Sequence, residues 1–102
     1  MAETIESLTK KQIKAIDKIR GILINKKSCN YGELTQLLLS VKYEIKINGS
    51  NHAQVYREDG TKVISKSHVP LTYPMQRGTL ATDYVRKVLS GVIYDLESRF
   101  EI

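Results

Sequence analysis

The sequence predicts an α+β domain in which two helices pack on one face of a three-stranded antiparallel sheet, with an extra helix at the N-terminus. Apolar residues recur at helical spacing near both ends of the chain, whereas they alternate with polar residues in the middle. Short turn signals separate the alternating segments, as in an antiparallel meander. The length of 102 residues is typical of one domain.

Two helices are predicted before the sheet. Residues 4 to 25 carry a helical apolar pattern, formed by Ile5, Leu8, Ile13, Ile16, Ile19 and Leu23. Asn30 and Glu33 have the spacing of a capping box, which predicts the start of a second helix with Leu34, Leu37, Leu38 and Val41 on one stripe. We divide the chain into an N-terminal helical extension, residues 1–27, and a main domain, residues 28–102.

Three strands are predicted next. Apolar and polar residues alternate from Val41 to Ile47, and Asn48-Gly49 is a strong hairpin signal. The second strand is predicted from His52 to Arg57, and after a tight turn the third strand is predicted at residues 61–65. Residues 67–78 contain both prolines and are predicted to form a loop.

The last helix is predicted to begin at Thr79. Its buried side is expected to be a row of every fourth residue, supported by three neighbours. The row is Leu80, Tyr84, Val88, Val92, Leu96 and Phe100, and the neighbours are Val85, Leu89 and Ile93. Gly91 is a point where this helix is expected to break, because glycine costs about 1 kcal/mol relative to alanine within a helix.

Composition limits the classes of function. The net charge of +5 favours an anionic partner such as nucleic acid. Lys10, Lys14 and Lys18 stand four apart on the first helix and form either a solvated face or a ridge that contacts phosphates. Cys29 is the only cysteine, so neither an internal disulfide nor a zinc site is expected. With no apolar run of membrane-spanning length and no signal peptide in the first residues, we expect a cytoplasmic protein without a membrane partner.

His52 is the main candidate for a catalytic residue. Ala53 and Val55 are small or apolar and should face the helices, so His52, Gln54 and Tyr56 should face the open side of the sheet. An inert surface histidine and a turn-capping histidine remain alternatives, because a register slip of one residue reverses the two faces.

The residues around this turn are compatible with a ribonuclease that needs no metal or other cofactor, and we take this activity as an expectation. An imidazole can assist the attack of a 2′-hydroxyl on its own phosphate, because histidine accepts and donates protons near neutral pH. Ser50, Asn51 and the backbone around Gly49 offer hydrogen-bond donors. Lys46, Lys66 and Arg77 flank the hairpin and the following loop and are candidates for contacts to phosphates.

Two segments, residues 31–68 and 77–89, resemble the HicA-type mRNA interferase toxins of bacterial toxin–antitoxin systems. The family's Gly-Ser-(x)-His element corresponds to Gly49, Ser50, Asn51 and His52. His68 corresponds to a histidine after the third strand, and Gly78-Thr79-Leu80 corresponds to the opening of the last helix. Lys66 departs from the family pattern, which usually has proline there.

The resemblance implies a double-stranded-RNA-binding-domain-like α-β-β-β-α fold and metal-independent RNA cleavage by one histidine. It implies that His52 is catalytic, that Gly49 and Ser50 shape its turn, and that a HicB-type antitoxin covers the active face. His68 is a possible auxiliary residue. The alternatives are a non-catalytic RNA-binding module on the same fold, and a protein-interaction domain whose long terminal helices bind a partner or a second copy of the chain.

Overall fold

The computed structural model describes residues 8–49 and 51–100, and its elements follow the predicted order. One antiparallel sheet has the strand order β1-β2-β3, which confirms the predicted α+β class. In these ranges no helix combines the length and the apolar character needed to cross a bilayer. The elements are α1 (Lys10–Ile24), α2 (Tyr31–Ser40), β1 (Tyr43–Asn48), β2 (His52–Arg57), β3 (Thr72–Pro74) and α3 (Thr82–Arg99).

Both N-terminal helices begin at capping boxes. In α2 the Asn30 side chain accepts from the Glu33 N–H at 2.8 Å and the Glu33 side chain accepts from the Asn30 N–H at 3.0 Å, as predicted. Thr9 and Gln12 form the equivalent box of α1. Helix α1 therefore begins at Lys10, whereas the sequence pattern predicted a start at residue 4, which lies outside the described residues together with Ile5.

Strands β1 and β2 form the predicted hairpin, which pairs Tyr43 with Arg57 at one end and Asn48 with His52 at the other. Tyr43 is buried and Ile45 is half-buried, but Ile47 is exposed although it lies on the same face. The apolar face of β1 is therefore covered only towards its start, and the turn end of the hairpin extends beyond the core.

The predicted third strand at residues 61–65 is wrong, because β3 is Thr72–Pro74. The partner edge of β2 is made of two segments in line. The Val55 carbonyl accepts from the N–H of Val63 at 3.1 Å, while the Val55 N–H donates to the carbonyl of Leu71 at 3.1 Å. The chain thus leaves the sheet after Val63 and returns at Leu71.

Residues 64–70 form a small closed loop between these two segments, which we call the edge loop. Its base is held by a hydrogen bond of 3.4 Å from the Leu71 N–H to the Val63 carbonyl and by a β-bridge between Ile64 and Pro70. Its tip is closed by the Ser65 N–H, which donates to the Val69 carbonyl at 2.8 Å. The edge loop can project from the sheet because the strand pairing of β2 is complete without it.

Helices α2 and α3 pack on one face of the sheet. From α2, Tyr31 lies with its ring centroid 5.4 Å from that of Tyr73, and the Thr35 hydroxyl lies 2.8 Å from the Tyr73 hydroxyl. Helix α1 packs on α2 and α3 and contributes Ile16 and Ile19 to the same hydrophobic core. Of the predicted architecture, the helices, the antiparallel sheet and their arrangement are therefore seen, while the likeness to double-stranded-RNA-binding domains stays a prediction.

Helix α3 differs from its prediction at two points. It begins at Thr82 and not at Thr79, because Thr79 forms a β-bridge with Asn30 after Gly78, whose φ of 79° lies in the left-handed region that favours glycine. It also continues through Gly91. A Cβ atom on Gly91 would lie 2.6 Å from Cδ2 of Leu71, so glycine serves here to let the strand approach the helix closely.

Candidate functional site at the hairpin end of the sheet

His52 begins β2 and lies between Asn48 of β1 and Pro74 of β3. Ala53 and Val55 are fully buried. Because side chains alternate along a strand, His52 points to the opposite face, which we call the outer face. This confirms the predicted orientation, and the histidine is half-buried there.

The backbone beside His52 is fixed on both sides. Asn51 has a φ of 60°, in the left-handed region that asparagine tolerates better than most residues. Its carbonyl accepts from the N–H of Met75 at 2.9 Å, which joins the hairpin turn to the segment after β3. Ser50, the second residue of the predicted Gly-Ser-Asn-His element, lies outside the described residues. A Cβ atom added to Gly49 would have no neighbour within 4 Å, so the described packing does not require glycine there.

The outer face of the sheet was predicted to be open to solvent, but the residue at its centre, Gln54, is buried. Gln54 is only 4% exposed and accepts a hydrogen bond from the side-chain amide of Asn48. In the register it is flanked by Lys46 and Thr72. The exposed part of the outer face therefore lies on both sides of Gln54.

Lys46 and Tyr56 occupy one of these sides. Nζ of Lys46 lies 4.6 Å from the centroid of the Tyr56 ring, which is a cation–π distance. Tyr56 points to the outer face, as predicted, and is half-buried. Lys46 thus brings a positive charge to the outer face. It lies two residues along β1 from Asn48, which is the residue opposite His52.

The remaining predicted site residues fall in two places. Arg77 is exposed and follows Pro74 by three residues, which span at most about 11 Å, so it belongs to the hairpin end. Lys66 and His68 lie on the edge loop, where both are exposed and His68 has a φ of 64°. Lys66 lines a groove beside α3. The structure therefore groups Asn51 and Arg77 with the hairpin end. It places Lys46 opposite Gln54 with its amine over Tyr56, and Lys66 and His68 on a different element.

A closed polar cluster lies at the other end of β2, and sequence reasoning missed it. Asp95 of α3 is 6% exposed and binds both Arg57 and Arg99. The Tyr43 hydroxyl donates to Asp95 Oδ2 at 2.6 Å and accepts from Arg99 at 3.0 Å. The sequence signal for this cluster was the position of Asp95 in the buried stripe of α3, three residues after Val92 and seven after Val88.

The electrostatics of this closed cluster follow from its contacts. Burial raises the pKa of Asp95, but the hydrogen bonds from Arg57 and Tyr43 and the charge of Arg99 outweigh it, and the pKa lies below its ordinary value. Burial and the neighbouring carboxylate raise the pKa of Tyr43. Among the described residues, no buried side-chain nitrogen or oxygen lacks a hydrogen-bond partner. The closed cluster is therefore a satisfied structural network.

A groove with a volume of about 500 Å³ lies between the edge loop and α3. We call it the tyrosine groove, because Tyr84 and Tyr94 stand in it with 39% and 45% of their surface exposed. Tyr84 was predicted to belong to the buried row of α3, and that prediction is wrong. The sequence signal that was missed is a helical spacing. Lys87, Gly91 and Tyr94 follow Tyr84 by three, seven and ten residues, so all four share one helix face.

Comparisons with known proteins do not supply a family. No protein-family model, no curated protein and no solved structure matches this chain. In residues 8–49 and 51–100, no three histidine, cysteine, aspartate or glutamate side chains come together as a group that could hold a metal ion. The resemblance to HicA-type toxins and the activity that it implies stay predictions.

Proposed function

We propose that this protein is a metal-independent endoribonuclease of the HicA type, which cleaves RNA at the hairpin end of the sheet with His52 as its catalytic residue. One observation carries the proposal. His52 stands at the start of β2 on the outer face, between Asn48 and Pro74 and away from the helical core. A ring in this place can meet a polymer that lies across the sheet, which a core histidine could not do.

The reaction we propose is an internal transfer of the phosphoryl group. The imidazole of His52 takes the proton of a ribose 2′-hydroxyl as its oxygen attacks the adjacent phosphorus. The P–O5′ bond breaks, the 5′-oxygen leaves with a proton, and a 2′,3′-cyclic phosphate remains on the other product. Acid–base assistance of this kind contributes roughly 10²–10⁴-fold to a rate.

Neighbouring groups would hold the phosphate. Asn51, Gly49 and Ser50 supply backbone and side-chain donors at the turn, and the fixed carbonyl of Asn51 holds that turn against Met75. Positive charge would come from Lys46, two residues along β1 from the residue opposite His52, and from Arg77, three residues after Pro74.

The partner we propose is a HicB-type antitoxin that covers the outer face in the cytoplasm. Tyr56 and Lys46 form an aromatic and cationic pair on the same outer face as His52, four residues along β2 from it. Aromatic rings with a polar tip are frequent in protein interfaces. An acidic surface on the antitoxin would match Lys46 and Arg77 and exclude RNA at the same time.

The test is cleavage of a fluorescently labelled single-stranded RNA in the presence of a chelator. His52→Ala should lose at least about 100-fold in rate while its thermal unfolding stays close to that of the wild type. His68→Ala is the matched control, because it removes the other histidine, on the edge loop, and should retain most activity. Equal rates for wild type and His52→Ala would contradict the catalytic assignment.

A non-catalytic RNA-binding module is the second candidate, and the tyrosine groove favours it. That groove combines exposed tyrosines with basic residues and does not contain His52. A wild-type protein that binds RNA but leaves it intact, with chelator or with added Mg²⁺, would support this candidate over the ribonuclease.

A further inference from the structure

The tyrosine groove has two walls of different origin. Helix α3 supplies Tyr84, Lys87 and Tyr94 from one face, and the two tyrosines are about 15 Å apart along the helix axis. The edge loop supplies the other wall, with Lys66 and Val69. The walls stand close together because Gly91 leaves room for Leu71, so the groove is set by packing within the core.

The charge of the groove has one sign. Among the described residues that line it, the charged ones are Lys66, Arg86 and Lys87, and all three are basic and exposed. Ser67 and Ser90 also line the groove. Three cations without a lining carboxylate match an anionic ligand.

We propose that the tyrosine groove binds a single-stranded segment of RNA, with bases stacked on Tyr84 and Tyr94 and phosphates held by Lys66, Arg86 and Lys87. Aromatic platforms combined with a basic track are the general means by which proteins bind single strands, since every base has a face that can stack. An acidic peptide would match the cations but would not use two exposed rings. A volume of about 500 Å³ suits on the order of two nucleotides.

The groove is connected to the hairpin end by β3. Thr72 lines the groove, and Pro74, two residues further along, lies opposite His52. Two strand residues span about 7 Å. The inference deepens the proposed function and rests on it for the assignment of RNA as the ligand. The groove would hold the RNA on one side of the cleaved bond and so position that bond at His52.

The experiment measures fluorescence anisotropy of a 12-nucleotide single-stranded RNA with the full chain carrying His52→Ala, so that binding is read without cleavage. In that background Tyr84→Ala and Tyr94→Ala should each weaken binding about 5- to 150-fold, the range for removing one stacking ring. Tyr84→Phe and Tyr94→Phe keep the ring and should bind nearly as well as the parent. Tyr84→Leu and Tyr94→Leu keep bulk without the ring and report on stacking if the alanine variants are poorly folded.

Charge is tested by a matched pair. Lys87→Gln in the groove should weaken RNA binding and reduce its salt dependence. Lys11→Gln, at an exposed position of α1, removes the same charge elsewhere and should leave the affinity within about twofold of the parent. Poly-glutamate is the competitor that probes an acidic polypeptide as ligand. The inference is overturned if the leucine variants bind RNA within twofold of the parent, or if poly-glutamate binds as tightly as the RNA and is equally weakened by the loss of the rings.

The two proposals can fail separately. If the wild type does not cleave RNA but the tyrosine variants lose binding as expected, the ribonuclease is wrong and the groove stands. If His52→Ala abolishes cleavage while the tyrosine variants bind and cleave normally, the ribonuclease stands and the groove is wrong.

Discussion

The two ends of β2 carry polar residues in opposite situations. Arg57, the last residue, points to the helices and joins the closed cluster around Asp95, in which each buried polar atom has a partner. His52, the first residue, points to the outer face, where the backbone is fixed and the neighbouring Asn51 is exposed. They lie an odd number of residues apart in one strand and so on opposite faces. The comparison separates a cluster that closes on itself within the fold from an end of the strand whose histidine faces outward.

The largest expected effect is at the closed cluster. Asp95→Ala removes the carboxylate that pairs with Arg57 and Arg99, and breaking a buried pair leaves uncompensated charge. We expect the free energy of unfolding to fall by about 3 kcal/mol, the lower end of the usual range, because both guanidinium groups keep about a third of their exposure. Urea unfolding measures it. The control Asp17→Ala, on the exposed face of α1, should change stability by less than about 0.5 kcal/mol.

This result would sharpen the comparison if activity is measured on the same protein. Under conditions where Asp95→Ala remains folded, RNA cleavage per folded molecule should be close to that of the wild type. A variant that stays stable but loses cleavage would show that the closed cluster belongs to the catalytic site.

The acid stability of the protein should depend on the same carboxylate. Because the pKa of Asp95 is lower in the folded protein than in the unfolded chain, its contribution to stability is fully present above the unfolded value of about 3.9 and is lost as the pH falls towards the folded value. The melting temperature of the wild type should therefore fall more steeply below pH 4 than that of Asp95→Asn. Parallel curves for the two proteins would contradict this account.

A smaller effect on stability is expected between the two ends of β2, where Leu71 beside this strand packs against α3. Gly91→Ala puts a methyl group 2.6–2.7 Å from the Leu71 methyl carbons and should cost about 1–3 kcal/mol of stability by overpacking. Gly21→Ala in α1 is the matched control, because a Cβ there meets nothing within 4 Å and should stabilise by up to about 1 kcal/mol. Thermal unfolding of the pair measures both, and equal stabilisation would mean that Leu71 moves aside freely.

The smallest effect on stability is expected on the outer face of the sheet, at Lys46. Lys46→Gln removes an exposed charge above the Tyr56 ring and should cost less than about 1 kcal/mol. In the binding assay it should reduce the slope of log K against log salt by about 0.7, if Lys46 contacts one phosphate of a single strand. An unchanged slope would remove Lys46 from the RNA-binding surface.

Much of the fold was predictable because its signals are local. The capping box at Asn30 and the alternation around Val55 each act within a few residues. The third strand was missed because the edge of β2 is shared between two short segments, and Pro70 and Pro74 gave the second one the signature of a loop. No local pattern indicates that two such segments will lie in line.

The orientation of candidate site residues was predictable where it followed from the alternation of side chains along a strand. It was not predictable where it depended on contacts between residues far apart in the sequence. His52 was placed correctly because Ala53 and Val55 determine the buried face. Tyr84 was misplaced because a row of every fourth residue drifts by about 40° per step on a helix, so its ends cannot all face the core. Asp95 was missed because its burial depends on its partner Arg57, which is 38 residues away in the sequence.

The edge loop also has a consequence for how this protein can be altered. Its two ends are already joined by the hydrogen bond from Leu71 to Val63, so the strand register is set without the residues between them. Lengthening such a segment costs little, on the order of 0.6 kcal/mol for each doubling. Residues 65–69 are therefore a natural graft position: a foreign sequence placed there would exchange one wall of the tyrosine groove and leave the pairing around His52 intact.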